Sequence, residues 1–352
     1  MEVIPMNPIA TLKRPRLLEP SHPNRGTKIV GGECSGLLNW NDEDEIWYDI
    51  SQTLEANFWR PVEIKMKEDE KMWDSLTPIE QDTFLRVGTA LACLDSLQVK
   101  AILEVIRFTT NSALANISAF IAQQEATHTT SYSYITSSLV RLPVQNQYFN
   151  ETMKHPVLAK RNKLVLDVYE DFAENPSLQN LFRMLVQSIN LEGIYFYSGF
   201  AFFYWLASQQ KMMKSSTMIS YIQRDEMQHA YFIGLLIRRL LTENPELNTQ
   251  ENAQYIVDSL KEAVATEKEW AGEILADIEG LDLEEFDHYI EYLANKRVRQ
   301  LGMDNIYEER GNPMPWIQVF SDEMMEHTKT DQFENKSRDY SGATKKNNFA
   351  SL

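Results

Sequence analysis

Cysteine is scarce in this chain. Cys34 and Cys93 are the only two among 352 residues, and no Cys-x-x-Cys pair occurs. That excludes a disulfide framework and a thiolate zinc site, and it fits a reducing, cytoplasmic setting. Basic charge is also short. The formal net charge is -17, which excludes a general nucleic-acid binder, because phosphate contacts need clustered Lys and Arg. Anionic membrane surfaces are disfavoured for the same reason, while acidity itself implies little beyond solubility. Long apolar runs are missing too. The N-terminal MEVIPMNPIATLKRPRLLEP has no apolar core of signal-peptide length. The most apolar stretch, LEGIYFYSGFAFFYWLA (191–207), is short for a membrane span and contains Glu192. It reads as a helix buried inside a protein. Neither GxGxxG nor GxxxxGK[ST] is present, so no phosphate-binding loop is expected.

What the chain does have is helical periodicity. Residues 1–45 are rich in Pro, Gly, Asn and charge and read as an irregular arm. Apolar spacing then predicts helices over 78–106, 112–140, 157–172, 177–208, 215–242, 249–276 and 282–300. Thr77, with Glu80 three residues on, has the pattern of a capping box. No run of alternating strands is seen. The expectation is an all-α fold: a helical bundle over 46–320, with extra helices and a flexible tail over 321–352.

One motif is doubled. QQEATHTTSY holds Glu125 and His128, and QRDEMQH holds Glu226 and His229. At about 100° per residue, Glu and His three apart share one helix face. A single Glu-x-x-His is weak, because a solvated polar face explains most cases. Two copies in apolar helices are stronger, since an unpaired buried carboxylate costs on the order of several kcal/mol. Two further carboxylates sit in apolar surroundings: Asp95 in LACLDSLQ and Glu192 in INLEGIYFY. One carboxylate on each of two helices and one Glu-x-x-His on each of two others matches the ligand arrangement of ferritin-like di-metal carboxylate bundles. Oxygen-rich donors with one imidazole per metal suit iron or manganese. Tyr132 lies one turn after His128 and falls on the same face.

NFWRPVEI, LDSLQ, QQEATHTTSY, LEGIYFY, QRDEMQH and NPMPW stand in that order. In these motifs the chain resembles the small, radical-generating subunit of class I ribonucleotide reductase. The resemblance implies metal-ligand roles for Asp95, Glu125, His128, Glu192, Glu226 and His229. It implies a stable radical on Tyr132, in a pocket walled by Phe196, Phe200 and Ile222. It also implies a transfer route through Trp59 and Asp225, and onward through the tail residue Tyr340, to a separate large (alpha) subunit that reduces the ribonucleotide. A homodimer is implied as well. The metals would be two irons, two manganese ions or a mixed pair, and manganese would call for a flavoprotein activase. The tail departs from the family pattern: TKKNNFASL carries Lys345 and Lys346 and runs three residues past Phe349. The readings that compete are another di-metal oxidase (ligand-binding oxidase, hydroxylase or desaturase), an iron-storage bundle, and a helical interaction protein without chemistry.

Overall fold

In the computed structural model, residues 11–320 are described. Their first long helix begins where the capping pattern puts it. The Thr77 hydroxyl accepts from the Glu80 backbone N–H at 3.2 Å, and the Glu80 carboxylate accepts from the Thr77 N–H at 2.9 Å. Pro78 occupies the first helical position, where a missing N–H costs nothing. That helix is α3, Pro78–Ile106. Before it come α1 (Glu45–Ala56) and α2 (Lys67–Trp73). After it come α4 (Ser112–Leu139), α5 (Leu142–Lys154), α6 (Pro156–Glu174) and α7 (Leu178–Asn190). The series closes with α8 (Phe196–Ser208), α9 (Met213–Glu243), α10 (Gln250–Ile274) and α11 (Leu283–Gln300). Asn111, Ser177, Thr249 and Asp282 cap α4, α7, α10 and α11 through their side chains. No strand occurs among the described residues, only isolated bridges such as Val30 with Thr109.

α3 and α4 pack along each other, α8 packs on both α3 and α9, and α7 lies against α9. These helices enclose the centre of the molecule, and α10 and α11 pack on one another and on its flank. α6 is tied to α10 by a buried ion pair, Arg161 to Glu267 at 2.8 Å. The Arg161 guanidinium lies over the rings of Tyr195 and Trp270. Among the described residues no helix is long and apolar enough to cross a membrane.

The stretch expected as one helix over 177–208 is interrupted. Between α7 and α8, Leu191–Tyr195 forms a π-helical turn. Such a turn carries one residue more than the α ladder and leaves polar backbone to be satisfied elsewhere. The buried Arg297 does this, donating from Nε to the Gly193 carbonyl at 3.2 Å. Nothing in the hydrophobic pattern marks the interruption, because every residue from Leu181 to Ala207 except the half-buried Arg183 is buried. α1, α2 and α5 also lie outside the predicted segments. α5 buries only Thr152, so it has little apolar face to read.

Glycine is required at position 193 by close approach. A Cβ there would lie 2.3 Å from Arg297 Nε. Gly193→Ala is therefore expected to destabilise the chain by about 1–3 kcal/mol, as overpacking does. Urea unfolding measures this, and an unchanged midpoint would mean that Arg297 moves aside freely.

Candidate metal centre

The centre is built from four elements. α3 supplies Asp95, α4 supplies Glu125 and His128, the π-turn supplies Glu192, and α9 supplies Glu226 and His229. All six side chains are wholly buried. They form two overlapping groups. Asp95, Glu125, His128 and Glu226 each offer a ligand atom within 4.8 Å of the others, and so do Glu125, Glu192, Glu226 and His229. The structure thus adds what spacing alone did not give: Glu125 and Glu226 belong to both groups. His128 Nδ1 lies 2.8 Å from Glu226 Oε1 and 3.3 Å from Asp95 Oδ1. His229 Nδ1 lies 2.8 Å from Glu226 Oε2, 3.0 Å from Glu125 Oε1 and 3.5 Å from Glu192 Oε2.

Many of these atoms have no hydrogen-bond partner. Both oxygens of Asp95, both of Glu125, Glu226 Oε1, Glu192 Oε2 and His128 Nδ1 are buried and, apart from the close carboxylate–imidazole contacts within the cluster, make no hydrogen bond. Orphaned polar atoms in a core are rare and need an explanation. Here four carboxylates converge with two imidazoles, and divalent cations would satisfy both the charge and the orphaned lone pairs. Two groups of oxygen donors, each with one imidazole, fit a pair of iron or manganese ions.

Titration of the centre follows from the same crowding. Burial, with the charges of Glu125 and Glu226 adding to it, holds the Asp95 and Glu192 carboxyls well above the ordinary carboxylate range. Burial also opposes charge on Glu226, but His128 and His229 outweigh it and hold that carboxyl below its ordinary range. Burial disfavours charge on the imidazoles as well, yet the facing carboxylates, Glu226 first, hold His128 and His229 well above the usual histidine value. Asp95, Glu192 and both histidines thus keep protons to higher pH than usual, and a metal ligand must give its proton up. Uptake of Mn(II) is therefore expected to release protons, and affinity to rise with pH. Calorimetry in two buffers of different ionisation enthalpy measures the release. A heat that does not depend on the buffer would contradict it.

The imidazoles are held from behind. His128 Nε2 lies 3.3 Å from Asp225 Oδ2, and the same oxygen accepts from Trp59 Nε1–H at 2.8 Å. The Trp59 ring lies nearly parallel to that of His128, with centroids 6.3 Å apart. His229 Nε2 pairs with Gln124 Oε1 at 3.0 Å. In both histidines the outward nitrogen is a donor and Nδ1 faces the cluster, the usual way an outer partner sets the tautomer of a ligand histidine. Gln124 escaped the sequence reading, as did Gln98, whose amide donates to Glu192 Oε1 at 2.5 Å. Their only signal is position: Gln124 precedes Glu125, and Gln98 lies three residues after Asp95.

Tyr132 is buried on α4, and its hydroxyl has no hydrogen-bond partner among the described residues. Burial first, then the charges of Asp95, Glu226 and Glu125, push the phenol well above its ordinary range. Phe196 and Phe200 stack on each other in α8 at 6.0 Å, and Ile222 lies one turn before Glu226 on α9. All three are buried. Tyr340 and the tail expected over 321–352 lie outside the described residues.

The profile of the family described as "Ribonucleotide reductase, small chain" matches residues 37–313. The chain is 40% identical to the ribonucleoside-diphosphate reductase subunit beta of Halalkalibacterium halodurans, over 97% of this chain and 99% of that protein. It resembles the crystal structure of a putative class I ribonucleotide reductase from Bacillus halodurans, with a TM-score of 0.83 and 39% identity, over 88% of this chain and 100% of that one. It is also similar to the ribonucleotide reductase R2 subunit from Clostridium botulinum, with a TM-score of 0.85 and 31% identity, covering 88% and 99% of the two chains.

Proposed function

Because the chain belongs to the small-chain family of ribonucleotide reductases, we propose that its buried centre holds two metal ions and that Tyr132 stores the oxidising equivalent it passes on. The relatives are named as reductase beta subunits rather than hydroxylases or desaturases, and the chain is the radical-generating half of such an oxidoreductase. One observation carries the proposal. Two carboxylates, Glu125 and Glu226, are shared between adjacent ligand groups, on the same helices as an unpaired buried phenol and a tryptophan-linked carboxylate.

When bound, the ion pair would supply the one-electron oxidising power. Asp95, Glu125, His128 and Glu226 would hold one ion, and Glu125, Glu192, Glu226 and His229 the other. Tyr132 would give up one electron to that pair and its phenolic proton to a carboxylate of the centre, Asp95 being the one whose charge bears on it most, and its dry surroundings would protect what is left. Phe196, Phe200 and Ile222 would exclude water and reductants, since none of the three offers an exchangeable proton. Asp225 orients His128 and anchors Trp59, so the indole, the carboxylate and the ligand imidazole form one continuous link. Through that link, and then through Tyr340 in the tail, the oxidising equivalent would reach the large subunit, where the ribonucleotide is reduced.

Iron and manganese both suit this donor set. A manganese pair implies a flavoprotein activase, and the working assembly we infer is a homodimer with the large subunit. The direct experiment is metal quantification with electron paramagnetic resonance on protein from its native host. A tyrosyl signal coupled to two metals per chain is expected, and protein free of iron and manganese would overturn the reading.

The route makes its own prediction. Trp59→Phe removes the indole N–H from Asp225 without touching a ligand. Metal content and the tyrosyl signal are expected to persist, while ribonucleotide reduction with the large subunit drops to background. Normal turnover in that variant would rule Trp59 out of the route.

A further inference from the structure

Glu192 differs from the other carboxylates of the centre. Its Oε1 is already engaged by the Gln98 amide at 2.5 Å. Gln98 is wholly buried on α3. A carboxamide can turn either its NH2 or its carbonyl toward a neighbour, and here the surrounding bonds decide which. The Tyr169 hydroxyl donates to Gln98 Oε1 at 2.7 Å, and the Ser188 hydroxyl pairs with the Tyr169 oxygen at 2.8 Å. Since the Tyr169 proton is committed to Gln98, Ser188 is the donor to Tyr169. The chain of donors therefore runs from Ser188 on α7, through Tyr169 on α6 and Gln98 on α3, to Glu192 in the π-turn. All four residues are buried. With Glu192 ionised, as a metal ligand must be, a flipped Gln98 would set its carbonyl against the carboxylate with no proton between them.

Asp95 is the counterpart of Glu192, the carboxylate that belongs to the other group alone. Neither of its oxygens has a hydrogen-bond partner. Asp95 is thus set within the cluster itself, with His128 Nδ1 3.3 Å from its Oδ1, whereas Glu192 is fixed from outside the cluster by an amide on Oε1. We propose that Gln98, held by Tyr169 and Ser188, is a positioning residue that fixes the Glu192 carboxylate through Oε1 with Oε2 turned to the cluster, and so supports the ion position that Glu192 serves and not the other. This rests on the two-ion reading above. If Gln98 only satisfied polar atoms in the core, its loss would lower stability without favouring either position.

The test uses the full-length chain, freed of metal and titrated with Mn(II). Electron paramagnetic resonance counts the free ion and yields two stepwise binding constants. Gln98→Met keeps the length of the side chain and removes the donor. One constant is expected to weaken about 10–100-fold, the usual effect of losing an outer partner, while the other stays within about threefold. Tyr169→Phe leaves Gln98 without its orienting proton, and it should weaken the same constant by less. The double variant should be no worse than Gln98→Met, because Tyr169 acts only through Gln98.

Two constants that move together, or that do not move, in folded Gln98→Met would overturn the inference, and so would additive effects in the double variant. If Gln98→Met does not fold by circular dichroism, Tyr169→Phe decides alone, and an unchanged ratio of constants overturns the proposal. A wild-type chain that takes up no Mn(II) overturns the two-ion reading itself, and the inference with it.

Discussion

Glu226→Ala is expected to cost the chain both metal ions at once. Each ligand group contains four residues, and Glu226 is in both. Its two oxygens face different imidazoles, His128 from Oε1 and His229 from Oε2, each at 2.8 Å. Removing it takes one oxygen from each position, so neither retains its full donor set. The loss of affinity should exceed the roughly 10–100-fold typical of losing an outer partner. Metal analysis after loading under reducing conditions should find little iron or manganese, and activity with the large subunit should vanish. Asp95→Ala is the control, since Asp95 belongs to one group only and its loss should spare the other position. If Glu226→Ala kept one ion at wild-type affinity, the carboxylate would not be shared in the loaded protein.

Tyr132→Phe is expected to leave the metal content intact and remove the function. The phenol makes no hydrogen bond among the described residues, so deleting its oxygen breaks no network and leaves no donor stranded. The ring still fills its place in the core, and stability should change little. What disappears is the one oxidisable O–H on this face of α4. The tyrosyl signal should be absent, and ribonucleotide reduction should fall to background. Full activity in this variant would show that the metals themselves store the oxidising equivalent.

The six side chains that the structure brings together were legible in the sequence for a physical reason. Ionisable side chains in apolar helices are expensive, and Asp95, Glu192 and the two Glu-x-x-His pairs stood out against leucine, phenylalanine and isoleucine. The start of α3 was legible because cap and periodicity agree there, while the spans of α4 and α9 were legible from periodicity alone. The parts that escaped are of another kind. Gln98 and Gln124 are neutral amides, unremarkable until their partners are known, and their work depends on contacts between helices distant in sequence. The π-turn was hidden because its neighbours are as apolar as itself. The sharing of Glu125 and Glu226 was hidden because it depends on how α4 and α9 face one another.

The π-turn also bears on how this part of the chain tolerates change. Leu191–Tyr195 works as a one-residue insertion absorbed within a helix. Deleting one residue there would let α7 run into α8 as an unbroken α-helix, with its two ends still in phase because the extra residue was already taken up locally. What would be lost is the wider turn itself, which carries Glu192 beside the other carboxylates and presents the Gly193 carbonyl to Arg297. The segment is therefore constrained in length more tightly than in composition. A side chain here can be exchanged for another of similar shape, whereas a lost residue closes the turn that sets Glu192.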